Sequence, residues 1–354
     1  MMHINRIAIR FCIKQLFKLI IPFIDSFWYS YISYQFLSRY GGFRRMDTKR
    51  PKKKKRKWLR ITLIVVLLLL IGVGIYIYSV WNSLNNAVET MQQPIERETS
   101  KRDKTLSLNN KEPFSILMLG VDERDGDKGR SDTMIVVTVN PEKKSAKLLS
   151  IPRDTRTEII GHGTTDKINH AYAFGGVAMA MDTVENFLDI PIDYYMQINM
   201  EGFQDIVNAV GGVTVNNDLD FTYEGVHFKK GTLTLNGEDA LKFSRMRYDD
   251  PRGDFGRQLR QRMIIEAVVK KGASLNSLTN FHNIFEALGK NIKTDITFDE
   301  MVDIQANYKS AANNIEQLTI TGTGQTINKV WYLIVDESEK TKIQNTLKEH
   351  LNIK

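Results

Sequence analysis

Residues 116–122 read Ile116-Leu117-Met118-Leu119-Gly120-Val121-Asp122, an apolar run that ends in a carboxylate. Similar short runs alternate with helical patterns along the C-terminal 240 residues or so, which is typical of a layered α/β domain. The predicted strands are Phe114–Leu119, Met134–Val139, Ala146–Ile151, Tyr194–Ile198, Val213–Val215, Ile315–Ile320 and Val330–Val335. The predicted helices are Lys167–Leu188, Met200–Ala209, Gly237–Ser244, Gly256–Gly272, Ser277–Asn291, Thr297–Ala312 and Glu337–Leu351. We therefore expect one α-β-α domain with a mixed central sheet over residues 113–354.

An uncharged apolar segment precedes this domain. Residues 61–81 carry no charge and are long enough to cross a bilayer as a helix. The segment exceeds the apolar core of a cleaved signal peptide, so a signal-anchor helix is favoured. Nine Lys and Arg residues lie between Lys49 and Arg60. By the positive-inside rule, residues 1–60 face the cytoplasm and the C-terminal domain lies outside, as in a single-pass type II protein of the cell membrane.

The charge distribution excludes several classes of protein. Residues 1–60 hold 16 Lys and Arg against 2 Asp and Glu, whereas residues 82–354 hold 33 against 39. The excess positive charge therefore lies in one N-terminal block, and a nucleic-acid partner for the folded body is not expected. The only Cys is Cys12, which excludes a disulfide scaffold and a thiolate zinc site.

Two flanking segments complete the organisation. Residues 1–45 are rich in aromatics, and two interpretations stay open: an interfacial amphipathic segment, or translation that starts at Met46. Residues 82–112 are polar with little periodicity, which predicts a spacer between the membrane and the domain.

Acidic residues follow the first strand. Asp122 stands at its carboxyl end and Asp132 in the segment Arg130-Ser131-Asp132-Thr133. Strand ends of this kind face the crevice in which α/β sheets bind ligands. Both aspartates are candidate ligands for Mg²⁺ or Mn²⁺, which prefer carboxylate and phosphate oxygens. Solvation of a loop is the alternative.

Two further segments place cations or a histidine near element ends. Arg153 follows the strand that ends at Pro152, where it would form a structural ion pair or bind phosphate. Lys167 lies at a predicted helix start, a position that favours anions. His170 is a candidate base, although a lone histidine is more often structural.

Residues 245–262 form the densest motif, with six Arg in 18 residues of an acidic body. Arg245 and Arg247 share a face if that stretch is extended. Arg257 and Gln261 share a face of the following helix. Arginine rather than lysine throughout favours recognition of a diphosphate, because the guanidinium group binds two phosphate oxygens at once. A solvated basic face is the alternative. Several apolar residues nearby could meet a lipid or belong to the core: Phe174, Met179, Met181, Phe187, Phe203 and Phe221.

Taken in order behind one membrane span, these segments resemble the LytR-CpsA-Psr family. The matching motifs are Leu119-Gly120-Val121-Asp122, Arg130-Ser131-Asp132-Thr133, Ile151-Pro152-Arg153-Asp154, Lys167-Ile168-Asn169-His170-Ala171-Tyr172, Leu235-Asn236-Gly237-Glu238-Asp239-Ala240-Leu241 and Arg245-Met246-Arg247-Tyr248. The resemblance implies pyrophosphate-binding roles for Arg130, Arg153, Arg245, Arg247 and Arg257, metal-associated roles for Asp122 and Asp132, and accompanying polar roles for Lys167 and Gln261.

The resemblance also implies an activity. Family members look like phosphotransferases that move an anionic glycopolymer of the teichoic acid type from a polyprenyl-diphosphate carrier to peptidoglycan, through a phosphodiester. Two alternatives stay open. The same arginines would serve a polyprenyl-diphosphate phosphatase, and a non-enzymatic membrane-bound transcriptional attenuator would not need them.

Overall fold

A computed structural model describes residues 54–95, 97, 100–102, 104–121, 129–274, 289 and 291–353. Its strands are β1 (Phe114–Val121), β2 (Ser131–Asn140), β3 (Ser145–Ser150), β4 (Arg156–Ile159), β5 (Thr164–Lys167), β6 (Tyr194–Ile198), β7 (Val213–Asn217), β8 (Phe221–Tyr223), β9 (Val226–Phe228), β10 (Gly231–Leu235), β11 (Ile292–Thr294), β12 (Ile315–Thr319), β13 (Thr323–Ile327) and β14 (Val330–Ile334). Its helices are α1 (Lys54–Met91), α2 (His170–Leu188), α3 (Met200–Ala209), α4 (Gly237–Arg245), α5 (Asp254–Ser274), α6 (Phe298–Asn307) and α7 (Glu337–Leu351), with a 3₁₀ turn at Lys309–Asn313.

The centre of the domain is a six-stranded sheet in the order β11-β6-β1-β2-β3-β12. Strand β1 pairs antiparallel with β2 and parallel with β6. Strand β3 pairs parallel with β12. The sheet is therefore mixed, and the predicted α/β class is confirmed. The remaining strands form two-stranded hairpins, which pair β4 with β5, β7 with β10, β8 with β9 and β13 with β14.

Both faces of the sheet are covered. Along β1, Leu117, Leu119 and Val121 are buried against α2 and α7, because successive side chains of a strand point to opposite faces. Met118 points the other way, toward the side that carries α3, α4 and α5. Helix α5 contacts β3 on that side. The predicted α-β-α layering follows from these two packed faces.

Helix α7 is fastened to the sheet by a buried histidine. His350 Nδ1 lies 2.7 Å from Thr138 Oγ1 on β2, and its Nε2 lies 2.9 Å from Ser145 Oγ on β3. Burial lowers the pKa of His350 to about 4, so the imidazole is neutral in the folded protein at physiological pH.

Every predicted strand is present, and six of the predicted helices are present, two with the predicted bounds (Met200–Ala209 and Glu337–Leu351) and four with shifted ends. The strands that the sequence analysis missed are three to five residues long: β4, β5, β8, β9, β10, β11 and β13. One helix begins later than predicted, at His170, because Lys167 pairs with Arg156 as the last residue of β5. Most of the predicted helix Ser277–Asn291 lies outside the described residues. Residues 1–45 and Asp122 lie outside them entirely.

The chain divides into two units, residues 1–70 and 71–354. In the first unit, the described residues 54–70 are all helical. Within the described part of the chain, α1 is the one helix long and apolar enough to cross a membrane. Its apolar side chains from Ile61 to Tyr78 are largely exposed, as expected of a surface that meets lipid.

The predicted spacer, residues 82–112, instead contributes to the domain. Helix α1 runs on to Met91, and its Leu84, Val88 and Met91 are buried in a cluster with side chains of α3, α4 and α5. Arg97 binds Asp182 and Glu185 of α2. Although this segment is polar overall, its Leu84, Val88 and Met91 form an apolar stripe at helical spacing.

Candidate active site

A cavity of about 400 Å³ lies between the sheet and the helices α3, α4 and α5. Six of the predicted site residues line it, five predicted to bind the diphosphate and one, Asp132, predicted to bind the metal: Asp132, Arg153, Arg245, Arg247, Arg257 and Gln261. The structure thus brings most of the predicted site residues to one place.

Asp132 and Arg153 form the sheet side of the polar end. Arg153 Nη1 donates to Asp132 Oδ1 at 2.7 Å. Burial alone would lower the pKa of Arg153, but the bond to Asp132 and the nearby carboxylates of Asp154 and Asp254 outweigh it and raise that pKa. Arg153 is therefore a permanent cation at the edge of the cavity.

Arg257 lies deeper and is incompletely satisfied. Its side chain is 14% exposed, and its Nη2 lies 2.7 Å from Asp254 Oδ1. Nη2 also donates to the backbone oxygen of Asp132 at 3.4 Å. Its Nε is buried and has no hydrogen-bond partner among the described residues. Burial lowers the pKa of Arg257, and the positive charges of Arg153 and Arg247 lower it further, against an opposing effect of Asp254 and Asp132. Arg257 therefore offers a donor that a bound anion could use, beside the cations of Arg153 and Arg247.

Arg245 and Arg247 reach the cavity from the end of α4. Asn236 caps the N-terminus of this helix, because its side chain accepts from the backbone N–H of Asp239, and the helix ends at Arg245. Arg245 and Arg247 both line the cavity. The predicted common face required an extended stretch, whereas Arg245 is the last residue of a helix.

Carboxylates hold the two arginines only loosely. Arg245 Nη1 lies 3.4 Å from Glu224 Oε1, and Arg247 Nε lies 3.9 Å from Asp254 Oδ1. The Arg247 guanidinium also lies 5.7 Å from the ring centre of Tyr248, a largely exposed aromatic at the cavity. Long, partly exposed ion pairs of this kind are easily exchanged for a stronger anion.

Helix α5 supplies one wall through residues four apart. Arg257, Gln261 and Ile265 all line the cavity, because positions four apart lie on one face of a helix. The predicted common face of Arg257 and Gln261 is confirmed, and Ile265 continues it into the apolar end.

Two predicted site residues that the structure describes, Arg130 and Lys167, are not among the lining side chains. A third, Asp122, lies outside the described residues. Arg130 is exposed, immediately before β2. Lys167 Nζ donates to Asp154 Oδ1 at 2.6 Å, and Asp154 Oδ2 lies 3.7 Å from Arg153 Nε. Lys167 is thus connected to Asp132 through three successive ion pairs, and its direct contact with substrate stays a prediction.

His170, the candidate base, has a partner. Its Nδ1 lies 2.7 Å from Asp166 Oδ2. The hydroxyl of Tyr332 donates to the other oxygen of Asp166 at 3.1 Å. None of these three residues lines the cavity, which favours the structural interpretation of His170.

The donor set suits a hard divalent cation only in part. Asp132 offers a carboxylate that is 45% exposed beside the arginines. The described residues contain no group of three or more His, Cys, Asp or Glu that could hold a metal by themselves. Mg²⁺ commonly binds through one or two carboxylates together with substrate phosphates, so Asp132 fits that role with a phosphorylated ligand present.

The other end of the cavity is apolar. Its lining includes Met118, Ile135, Ile198, Phe203, Leu241 and Ile265. Of the apolar residues singled out in the sequence, Phe203 lines the cavity, whereas Met181, Phe187 and Phe221 belong to the core. The sequence analysis did not single out the other five of these lining residues. The available signal is that strands β1, β2 and β6 are apolar at both alternating sets of positions, although one set would suffice for a core.

Comparisons with known proteins identify a family and several relatives of this chain. The model of the LytR_cpsA_psr family matches residues 77–349. The polyisoprenyl-teichoic acid–peptidoglycan teichoic acid transferase TagU of Bacillus subtilis is 52% identical over 274 residues, which cover 77% of this chain and 89% of TagU.

Two solved structures are also similar. A protein of Enterococcus faecalis described as a transcriptional regulator has 41% identity and a TM-score of 0.66, with 71% of this chain and 92% of that chain covered. A structure of TagT bound to LIIa-WTA has 32% identity and a TM-score of 0.63, with 73% of this chain and all of that chain covered.

Proposed function

Because the chain belongs to the LytR-CpsA-Psr family, we propose that it is a teichoic acid transferase that moves an anionic glycopolymer from a polyprenyl-diphosphate carrier to peptidoglycan. TagU, which shares half of its residues in the matched region, carries the name of that activity. The observation that supports the proposal best is the cavity itself, where Arg153, Arg245, Arg247 and Arg257 surround one polar end.

The arginines neutralise the charge of the diphosphate. The donor carries negative charge on both phosphates, and more charge collects on the leaving phosphate in the transition state. Cations that are already in place stabilise that charge without forming a covalent bond to the substrate. Arg257 Nε has no partner among the described residues, and Arg245 and Arg247 make only long ion pairs, so these groups can donate hydrogen bonds to a phosphate.

The reaction is an exchange at phosphorus. An acceptor hydroxyl, by family resemblance the 6-hydroxyl of a MurNAc residue, forms a bond to the phosphorus that carries the polymer. The bond from that phosphorus to the lipid phosphate breaks, and polyprenyl phosphate leaves with the bond electrons. The product is a phosphodiester between polymer and glycan.

Asp132 and Asp122 are the residues we assign to Mg²⁺ or Mn²⁺. Asp132 stands beside the arginines with half of its side chain accessible, and Asp122 follows the end of β1 in the sequence. When bound, the cation would add positive charge at the diphosphate oxygens.

The apolar end of the cavity suits the lipid. Met118, Ile198 and Phe203 offer an apolar lining next to the arginine cluster, which matches a carrier with a charged head and a hydrocarbon tail. Helix α1 would keep the enzyme at the membrane where that carrier resides, with the basic N-terminus in the cytoplasm and the domain outside. Protease protection in intact cells tests this orientation.

A transfer assay with the purified full-length protein tests the activity. The double variant Arg245→Ala, Arg247→Ala should transfer on the order of 10²–10³-fold less polymer to added peptidoglycan glycan. Arg156→Ala is the control, because Arg156 is an exposed arginine outside the cavity. An unchanged rate in the double variant would defeat the proposal. Polymer release without added glycan would indicate the phosphatase alternative.

A further inference from the structure

Arg260 is a fully buried arginine that does not line the cavity. Its side chain is 1% exposed, and burial lowers its pKa against the opposing effect of Asp250. The guanidinium also lies 5.3 Å from the ring centre of Phe221. A charged side chain in such a place is costly unless each of its donors is used.

The donors of Arg260 go to one particular turn. Its Nε donates to the backbone oxygen of Phe243 at 3.1 Å, and its Nη2 donates to the backbone oxygen of Met246 at 2.5 Å. Phe243 and Met246 are the residues at the C-terminal end of α4, where helix carbonyls lack partners of their own. Arg260 therefore fixes the backbone on both sides of Arg245, and Arg247 follows directly.

Helix α5, which bears Arg260, also forms one wall of the cavity. Arg257 and Gln261 of α5 line the cavity three residues before and one residue after Arg260. A single side chain thus ties the turn that bears Arg245 and Arg247 to the helix that bears Arg257 and Gln261.

Asp250 completes the connection. Arg260 Nη1 donates to Asp250 Oδ2 at 2.6 Å, and Arg252 Nε donates to Oδ1 at 2.9 Å. Burial alone would raise the pKa of Asp250, but these bonds outweigh it and hold that pKa far below its usual range. A Cβ at position 256 would lie 1.9 Å from Asp250 Oδ2, so Gly256 leaves the space that the carboxylate occupies.

We propose that Arg260 is a positioning residue for the diphosphate-binding arginines, which sets Arg245 and Arg247 relative to Arg257 and Gln261. The proposal rests on the proposed function, since it concerns how the same cavity binds its donor. Arg260 touches backbone rather than substrate, so it acts through the side chains on either side of it. A displacement of about 1 Å in such groups is enough to weaken their action strongly.

A second buried arginine of α5 provides a matched control. Arg262 is 4% exposed and donates to Ser150 Oγ at 2.7 Å and to Thr319 Oγ1 at 3.1 Å. It therefore binds the sheet and not the turn after α4. Replacement of either arginine by lysine removes a buried guanidinium from the same helix, but only one replacement loosens Arg245 and Arg247.

The test is a binding cycle on full-length protein in detergent, with geranylgeranyl diphosphate as the probe. Arg260→Lys should weaken its binding about 10-fold at a temperature where the variant is folded, whereas Arg262→Lys should leave the Kd within about threefold. In the Arg245→Ala, Arg247→Ala background, Arg260→Lys should add less than about threefold, because residues that act as one unit are not additive.

The outcomes separate the two proposals. A wild-type protein that does not bind the probe would overturn the proposed function. If the wild-type protein binds the probe, any one of three results would overturn the positioning role alone. These are an unchanged Kd in Arg260→Lys, equal losses of affinity in the two lysine variants, or a full additional loss when Arg260→Lys is added to the Arg245→Ala, Arg247→Ala background. If Arg260→Lys does not fold, Asp250→Asn provides the second variant. It keeps the side-chain shape but removes the charge that fixes the guanidinium, and it should weaken binding similarly.

Discussion

Arg257→Met should separate activity from stability. Arg257 is buried, its Nε has no hydrogen-bond partner among the described residues, and burial lowers its pKa. Each of these features means that the folded protein holds this charge at a cost. Methionine keeps most of the side-chain length and removes the charge, so the cavity loses a cation while the fold loses little.

The expected loss of rate can be compared with the expected change in the free energy of unfolding. Loss of one preorganised donor to a transition state typically lowers the rate 10²–10³-fold, equivalent to about 2.7–4 kcal/mol. An unsatisfied buried donor costs a folded protein about 1–3 kcal/mol, and its removal recovers part of that. The lost ion pair with Asp254, at 2.7 Å, works in the opposite direction. We therefore expect the free energy of unfolding to change by less than about 1 kcal/mol in either direction.

Two measurements on full-length protein in detergent check this. Polymer transfer to peptidoglycan gives the rate, and the thermal unfolding midpoint gives the stability. Arg260→Met is the contrasting variant, because it removes one of the two arginines that bind the buried Asp250 and the side-chain donor to the backbone oxygens of Phe243 and Met246, and it should destabilise the protein by about 3–5 kcal/mol. The reasoning is refuted if Arg257→Met transfers polymer within threefold of the wild type, or if its loss of rate is matched by a fall in unfolding temperature similar to that of Arg260→Met.

Three further predictions concern pH, metal and packing. The unfolding temperature should fall as the pH drops from about 6.5 toward 4, because His350 gains a proton in the unfolded chain while the folded side chain stays neutral. The loss in free energy of unfolding should reach up to about 3 kcal/mol. Thermal melts of His350→Gln across that pH range should show a weaker dependence. Asp132→Asn should transfer polymer about 10²-fold more slowly and lose any stimulation by added Mg²⁺, and a variant still stimulated as strongly as the wild type would argue against the metal role. Leu84→Ala should lower the free energy of unfolding by about 2–5 kcal/mol because its side chain is buried in the domain, whereas the exposed Leu63→Ala should not change it.

The sequence was most informative where periodicity is simple. Strand β1 is apolar at nearly every position because both of its faces are covered, and its position could be predicted closely. The hairpin strands β4 and β5 were not predicted, because each has only four residues at the surface and these show no alternation of apolar and polar side chains. Lys167 was placed on a helix for the same reason, since its pairing with Arg156 across the hairpin leaves no local signal.

The arginine-rich segment shows where sequence reasoning ends. Its six arginines are chemically identical in the sequence, yet Arg245, Arg247 and Arg257 line the cavity, while Arg260 and Arg262 are buried away from it. Helical spacing predicted that Arg257 and Gln261 share a face. It could not show that Arg260 would meet the end of α4, because that contact depends on how two helices pack.

The two-sided character of strand β1 has a consequence for how the enzyme could diversify. Leu117 and Leu119 hold the sheet to α2 and α7, while Met118 between them faces the cavity. If the proposed lipid carrier binds in the cavity, substitutions at the intervening positions would change which hydrocarbon fits and leave the opposite layer intact. Carrier preference and folding would then depend on alternate residues of the same strand, so that either could change in evolution without the other.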